Sequence, residues 1–276
     1  MKKNYYAKVL ALTVAASMVS VPAFAAEDAA PAAQEQGKEG ENESKVEKIE
    51  EKESEDVAEK GTVEEQKIST YSVKNEEETE ITAAGGKLAS GTYKLTADVT
   101  LTGANLTVPA DAEVTIDLNG KTLTGNGLGS VIRVSGKLTI LDSGNGGKIT
   151  GGFKNYTDAW VNNVEHDGGG IFVDTGAEVV LESGSITGND AWNGGGVYIN
   201  GGGSFTMNDG EISNNNALRP YHGGGGGVYV LDDEEKGTGK FVMNDGVIKG
   251  NTTLTQGGGA FISGEMEMNG GEIIDN

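Results

Sequence analysis

The sequence predicts an all-β protein: a right-handed, single-stranded parallel β-helix with three strands per coil and about 25–26 residues per coil, preceded by a disordered N-terminal segment. Three observations predict it. First, four segments close alike, "VVLESGSITGN", "FTMNDGEISNN", "FVMNDGVIKGN" and "MEMNGGEIIDN", and four Gly triplets precede alternating apolar runs, "GGGIFV", "GGGVYI", "GGGVYV" and "GGGAFI". Second, the isoleucines after the turns, Ile149, Ile186, Ile212, Ile248 and Ile273, follow one another at 37, 26, 36 and 25 residues, and Leu123 extends the series backward by 26. Third, each unit holds three short runs of period-two alternation separated by Gly, Asn and Asp, the pattern of strands and tight turns. One such unit cannot bury its own apolar residues; stacked coils can.

Taken in order, residues 1–25, "MKKNYYAKVLALTVAASMVSVPAFA", have the form of a secretory signal peptide. They carry Lys2, Lys3 and Lys8, a short apolar run, and a small-residue cleavage site at Ala23 and Ala25. The run is too short for the roughly 20 residues that span a bilayer, and no later segment is long or apolar enough either. The expected mature protein is therefore secreted or held at a cell surface, with no membrane span. It has no Cys, so repetitive pairing and packing must stabilise it without disulfides.

Residues 26–80 hold 19 Asp/Glu against seven Lys and no Trp or Phe, too little apolar surface to offset chain entropy. This segment reads as an acidic disordered spacer. The net charge of −21 divides as +3 in the leader, −12 in the spacer and −12 beyond it. Such a surface repels phosphate backbones, which excludes nucleic acid as a partner class.

Residues 81–136 alternate well, as in "GTYKLTADVTLTG" and "VTIDLNGKTLTG", but match the Gly-triplet unit poorly; they are expected to be the N-terminal cap and first coils. Residues 137–276 are the repeats proper. The pattern stops at Asn276 in mid-repeat, so truncation at the C-terminus is expected. Extra residues enter at 153–167, 217–222 and 232–238.

The alignment names interior columns. One runs Leu138, Val179, Phe205, Phe241, Met266, and a second Ile140, Leu181, Met207, Met243, Met268; the isoleucine series is the third. Four of the six Met residues fall in two of them, where an adaptable side chain suits imperfect repeats. Asn189, Asn215, Asn251 and Asn276 share one position, three residues after each isoleucine. Asn tolerates left-handed backbone angles and its amides can bond along a stack, so a structural asparagine ladder is expected there.

On these residues the chain resembles the right-handed parallel β-helix (pectate-lyase-like) superfamily, in the Gly/Asn-rich form of bacterial surface and secreted proteins. It also resembles the repeats of polymorphic outer-membrane adhesins, whose motifs are FxxN and GGA followed by an aliphatic residue. "FTMN" and "FVMN" match the first motif, and "GGGVYI" and "GGGAFI" approximate the second, while "VVLE" and "MEMN" lack the Phe. The resemblance implies adhesion, or polysaccharide cleavage of the lyase or hydrolase kind.

Cleavage is poorly served by the residues present. Uronate lyases of the resembled superfamily use Arg or Lys over an acidic calcium site, and only Arg133 and Arg219 exist here; "DDEE" (232–235) offers oxygen ligands for weak calcium binding, against the plainer reading of a solvated loop. No catalytic residue, metal ligand or cofactor is assigned.

One constellation remains. The insertions ahead of the Gly triplets hold both Trp, both His and one of the two Arg. Trp160, His166, Trp192, Arg219, Tyr221 and His222 are therefore expected along one edge, where flat aromatics beside polar groups suit sugar rings. The plainer alternative is that these aromatics fold back over the corner. Alternation also places Phe172, Tyr198, Tyr229 and Phe261 outward from one sheet, to grip a ligand or to stack on each other. The expected function is a non-catalytic adhesin or binding module for an extracellular glycan or a host surface protein. The alternatives are a polysaccharide-degrading enzyme and a structural stalk.

Overall fold

The computed structural model describes residues 79–153, 166–221 and 223–276. The expected leader and most of the acidic spacer lie outside them. The described chain forms a parallel β-helix of three seven-stranded parallel sheets, each coil adding one strand to each sheet. In the fifth coil Val197–Ile199 joins the first sheet, Ser204–Met207 the second and Glu211–Ser213 the third. Among the described residues no helix is long and apolar enough to cross a membrane.

Register follows the repeat. Leu138, Val179, Phe205, Phe241 and Met266 pair in succession along the second sheet, as do Ile140, Leu181, Met207, Met243 and Met268. The third sheet runs Val99, Leu123, Ile149, Ile186, Ile212, Ile248, Ile273. Most of these side chains are fully buried, and one continuous apolar core fills the solenoid. Residues 81–136 extend the same columns, Val114 pairing with Leu138 and Ile116 with Ile140.

The Gly triplets are explained by the corner between the third and first sheets. The first glycine of each has a left-handed backbone, φ +68° at Gly168, +61° at Gly194, +66° at Gly225 and +66° at Gly257. The third packs against the neighbouring coil: a Cβ on Gly196 would lie 2.7 Å from the Gly227 carbonyl oxygen and 2.9 Å from Asn215 Nδ2. No other residue fits. Residues 81–136 carry no such triplet.

The asparagine that closes FTMN, FVMN and MEMN forms an exposed amide file on the second sheet. Asn269 Nδ2 donates to Asn244 Oδ1 at 2.9 Å, Asn244 Nδ2 to Asn208 Oδ1 at 2.8 Å, and Asn208 Nδ2 to Glu182 Oε2 at 2.9 Å. Glu182, where "VVLE" departs from the motif, is the terminal acceptor of that file.

The two ends differ. At the N-terminal end Thr79 bridges to Tyr93, and Ile81 and Leu88 are buried. In the last coil Met268, Ile273 and Ile274 are 47%, 37% and 42% exposed. The 232–238 insertion leaves at another corner, between the first and second sheets, as a small antiparallel hairpin pairing Asp232 with Thr238.

Candidate functional site

The corner between the third and first sheets gathers the unusual chemistry. Just past each third-sheet strand the four asparagines stack. Asn189 Nδ2 donates to Asn215 Oδ1 at 3.0 Å, Asn215 to Asn251 at 3.0 Å, and Asn251 to Asn276 at 2.9 Å. Each amide also donates to a main-chain carbonyl, that of Ile149, Ile186 and Ile212 in turn. The Asn189, Asn215 and Asn251 amides are fully buried, where an unpaired polar group is costly, and each is paired.

Beyond the ladder the chain bulges into the insertions. Trp192 N donates to the His166 carbonyl at 2.9 Å and Arg219 N to the Trp192 carbonyl at 3.3 Å, so His166, Trp192 and Arg219 lie on successive coils at the same corner. The His166 ring lies 4.4 Å from Phe153 and 5.6 Å from Trp192, both tilted by about 45°. Its Nδ1 is buried without a hydrogen-bond partner among the described residues. Trp192 and His166 are half-buried and Tyr221 is 69% exposed. Trp160 and His222 lie outside the described residues.

The position just before each triplet carries two residues to which sequence reasoning assigned nothing. Asp167 is 7% exposed, and its Oδ1 receives Asn193 N at 3.1 Å and Asn193 Nδ2 at 2.9 Å. Asn193 Oδ1 in turn receives Gly224 N at 3.3 Å. Burial pushes the Asp167 carboxyl up to about 7, against the opposing pull of the Asn193 hydrogen bonds and the Arg219 charge. The available signal was positional, since Asp167 and Asn193 occupy the same repeat site.

The first sheet brings its aromatics into one outer column, paired Phe172 to Tyr198, Tyr198 to Tyr229 and Tyr229 to Phe261. The rings stack at 5.1, 5.1 and 4.9 Å, nearly parallel. Arg133, next in the column, sets its guanidinium 4.4 Å over Phe172 and holds Asp174 with two hydrogen bonds of 3.0 and 2.8 Å. Phe172 and Tyr198 belong to no part of the core, yet only 2% and 6% of their surface is exposed. The column is therefore covered at Phe172 and Tyr198; Arg133 is partly accessible at one end, as are Tyr229 and Phe261 at the other. Burial raises the Tyr198 and Tyr229 phenols, reinforced by the Asp167 charge.

At that end a cleft of about 380 Å³ opens, lined by Pro220, Tyr221, Gly223, Thr255, Gln256 and Phe261. It combines two aromatic faces with a hydroxyl and an amide. The Thr255 hydroxyl donates to the Gly223 carbonyl, which fixes one wall. None of these six described lining residues is acidic, and among the described residues no three His, Cys, Asp or Glu side chains gather as a metal site. No family model matches this chain, and comparison with curated proteins and with solved structures returns no match.

Proposed function

We propose that this protein is a non-catalytic binding module, displayed outside the cytoplasm, that holds a sugar of an extracellular glycan in the Tyr221–Phe261 cleft. The observation that carries this reading is the cleft's lining. Sugar rings present C–H faces that stack on aromatics and hydroxyls that need amide or hydroxyl partners, and Tyr221, Phe261, Thr255 and Gln256 offer both. The likeness to adhesin repeats and to the pectate-lyase-like superfamily agrees with an extracellular setting, as does the leader-like N-terminus.

Polysaccharide cleavage is the competing reading, and the raised pKa of Asp167 favours it, because perturbed carboxyls collect at catalytic sites. Against it, the cleft lining holds no pair of carboxyls for acid/base work. A glycan array probed with the full chain, followed by titration of hits against Tyr221→Ala and Phe261→Ala, tests the proposal. Each variant is expected to weaken binding roughly tenfold or more. Release of reducing ends or unsaturated sugars would establish cleavage instead, and unchanged affinity in both variants would remove the cleft from the account.

A further inference from the structure

We propose that Asp167 is a proton-sensing latch for this corner: on losing its proton it draws the Arg219 guanidinium into an ion pair and shifts Pro220, Tyr221 and Gly223, which wall the cleft. The effect on ligand affinity rests on the glycan-binding reading above; the latch itself does not.

The mechanical link is a buried chain of hydrogen bonds crossing three coils. Asp167 receives both nitrogens of Asn193, and Asn193, 3% exposed, receives Gly224 N. The backbone runs alongside, Gly168 N donating to the Asn193 carbonyl at 2.9 Å and Gly194 N to that of Gly224 at 3.1 Å. Gly224 adjoins Gly223, a lining residue of the cleft. Arg219 lies against the same glycine, its Cβ 2.7 Å and Cδ 2.9 Å from where a Gly223 Cβ would stand. A movement of Arg219 therefore moves the cleft wall.

The electrostatic drive lies in what surrounds the carboxyl. Facing it are the Arg219 guanidinium and the phenols of Tyr198 and Tyr229, with the His166 imidazole on the next residue; the charge of Asp233, on the 232–238 hairpin, acts on Tyr198. Among these only Arg219 is a permanent cation. It is close enough for its charge to act on Asp167, yet the two form no ion pair, and among the described residues Arg219 pairs with no other carboxylate. That arrangement suits a neutral Asp167. An ionised carboxylate at the same place is a buried charge that either pairs or admits water, at a cost of several kcal/mol while it does neither. With the carboxyl raised to about 7, the change of state falls within the physiological range.

Trp192, its ring tilted against that of His166 and its N–H hydrogen-bonded to the His166 carbonyl, reports on the corner. Its fluorescence, in the full chain carrying Trp160→Phe, is titrated from about pH 5 to about pH 9, with circular dichroism to confirm folding. A sigmoidal change centred near 7 is expected, absent in Asp167→Asn and retained in His166→Gln. In Arg219→Met it is expected to move up by about one pH unit, because the stabilising cation is gone. A transition that survives Asp167→Asn, disappears in His166→Gln, keeps its midpoint in Arg219→Met or is missing from the parent overturns the latch. In the same preparations, a glycan found on the array is expected to bind with different affinity at about pH 6 and about pH 8 only when Asp167 is present. A fluorescence transition without glycan binding would keep the latch and sink the glycan reading; glycan binding without the transition would do the reverse.

Discussion

Burying the Asp167 carboxyl has a definite thermodynamic sign. Its folded-state value of about 7 lies above the ordinary 3.8, so between those values the folded chain holds a proton that the unfolded chain has released. The stability it contributes is complete below about 3.8 and is lost as pH rises through about 7. Asp117 works in the opposite sense. Burial opposes its charge, but hydrogen bonds from the Ser143 hydroxyl and N–H and from Asn119 N–H, with Lys94 nearby, hold it below the usual carboxylate range. Its contribution is therefore lost only in stronger acid. Urea denaturation should show Asp167→Asn gaining on the parent by on the order of 2 kcal/mol between about pH 5 and about pH 7. Asn215 makes a second residue-level test. Its side chain receives Asn189 N and Nδ2 and donates to Asn251 and to the Ile186 carbonyl. Asn215→Ala strands all of these partners, and a loss of at least about 2 kcal/mol is expected in the same assay.

Among the elements, the strands were the most legible and the insertions the least. Period-two alternation placed Phe205 and Met207 inward because a strand slipped by one residue would expose its whole apolar set, and the register agrees. The same alternation put Tyr198 on the outer face but could not say that it is covered there, since alternation gives the direction of a side chain and not its exposure. The Gly triplets were read as turns, and only the packed corner shows that turn geometry and steric need are separate demands. Two substitutions distinguish them. Gly196→Ala, blocked by backbone and Asn215, should cost about 3 kcal/mol in chemical denaturation. Gly176→Ala has open space and only a φ of +76° to overcome, and should cost about 1 kcal/mol. Equal costs would mean that the corner gives way.

At the scale of the molecule, a solenoid's stability is a sum of coils and of interfaces between neighbours, so its ends open first. Among the described residues the last coil, with Met268 and Ile273 partly exposed, pairs with the coil before it through Ile248 and Ile273. Amide hydrogen exchange should accordingly show strong protection at Ile212 and Ile248 and weak protection at Ile273 and Ile274; uniform protection would contradict an additive stack. The fold class was legible because a repeat states the same solution several times. The corner chemistry was legible only in part: the pattern placed Arg219 at the corner and Phe261 in the outer column, but the burial of Asp167 and the approach of Arg219 to it follow from the winding of the chain.

The exposed amide file on the second sheet also bears on how such a chain could lengthen. Each amide donates toward the N-terminal end, and Glu182 only accepts. A duplicated coil bearing the FxMN asparagine could be spliced in anywhere beyond Glu182, taking one hydrogen bond and passing one on. A duplicate of the Glu182 coil in that stretch would break the file, since a carboxylate has no N–H to hand to the coil below it. The glutamate therefore works as a starting mark: copies of the asparagine coil beyond it would lengthen the file, and a copy of the mark itself would interrupt it.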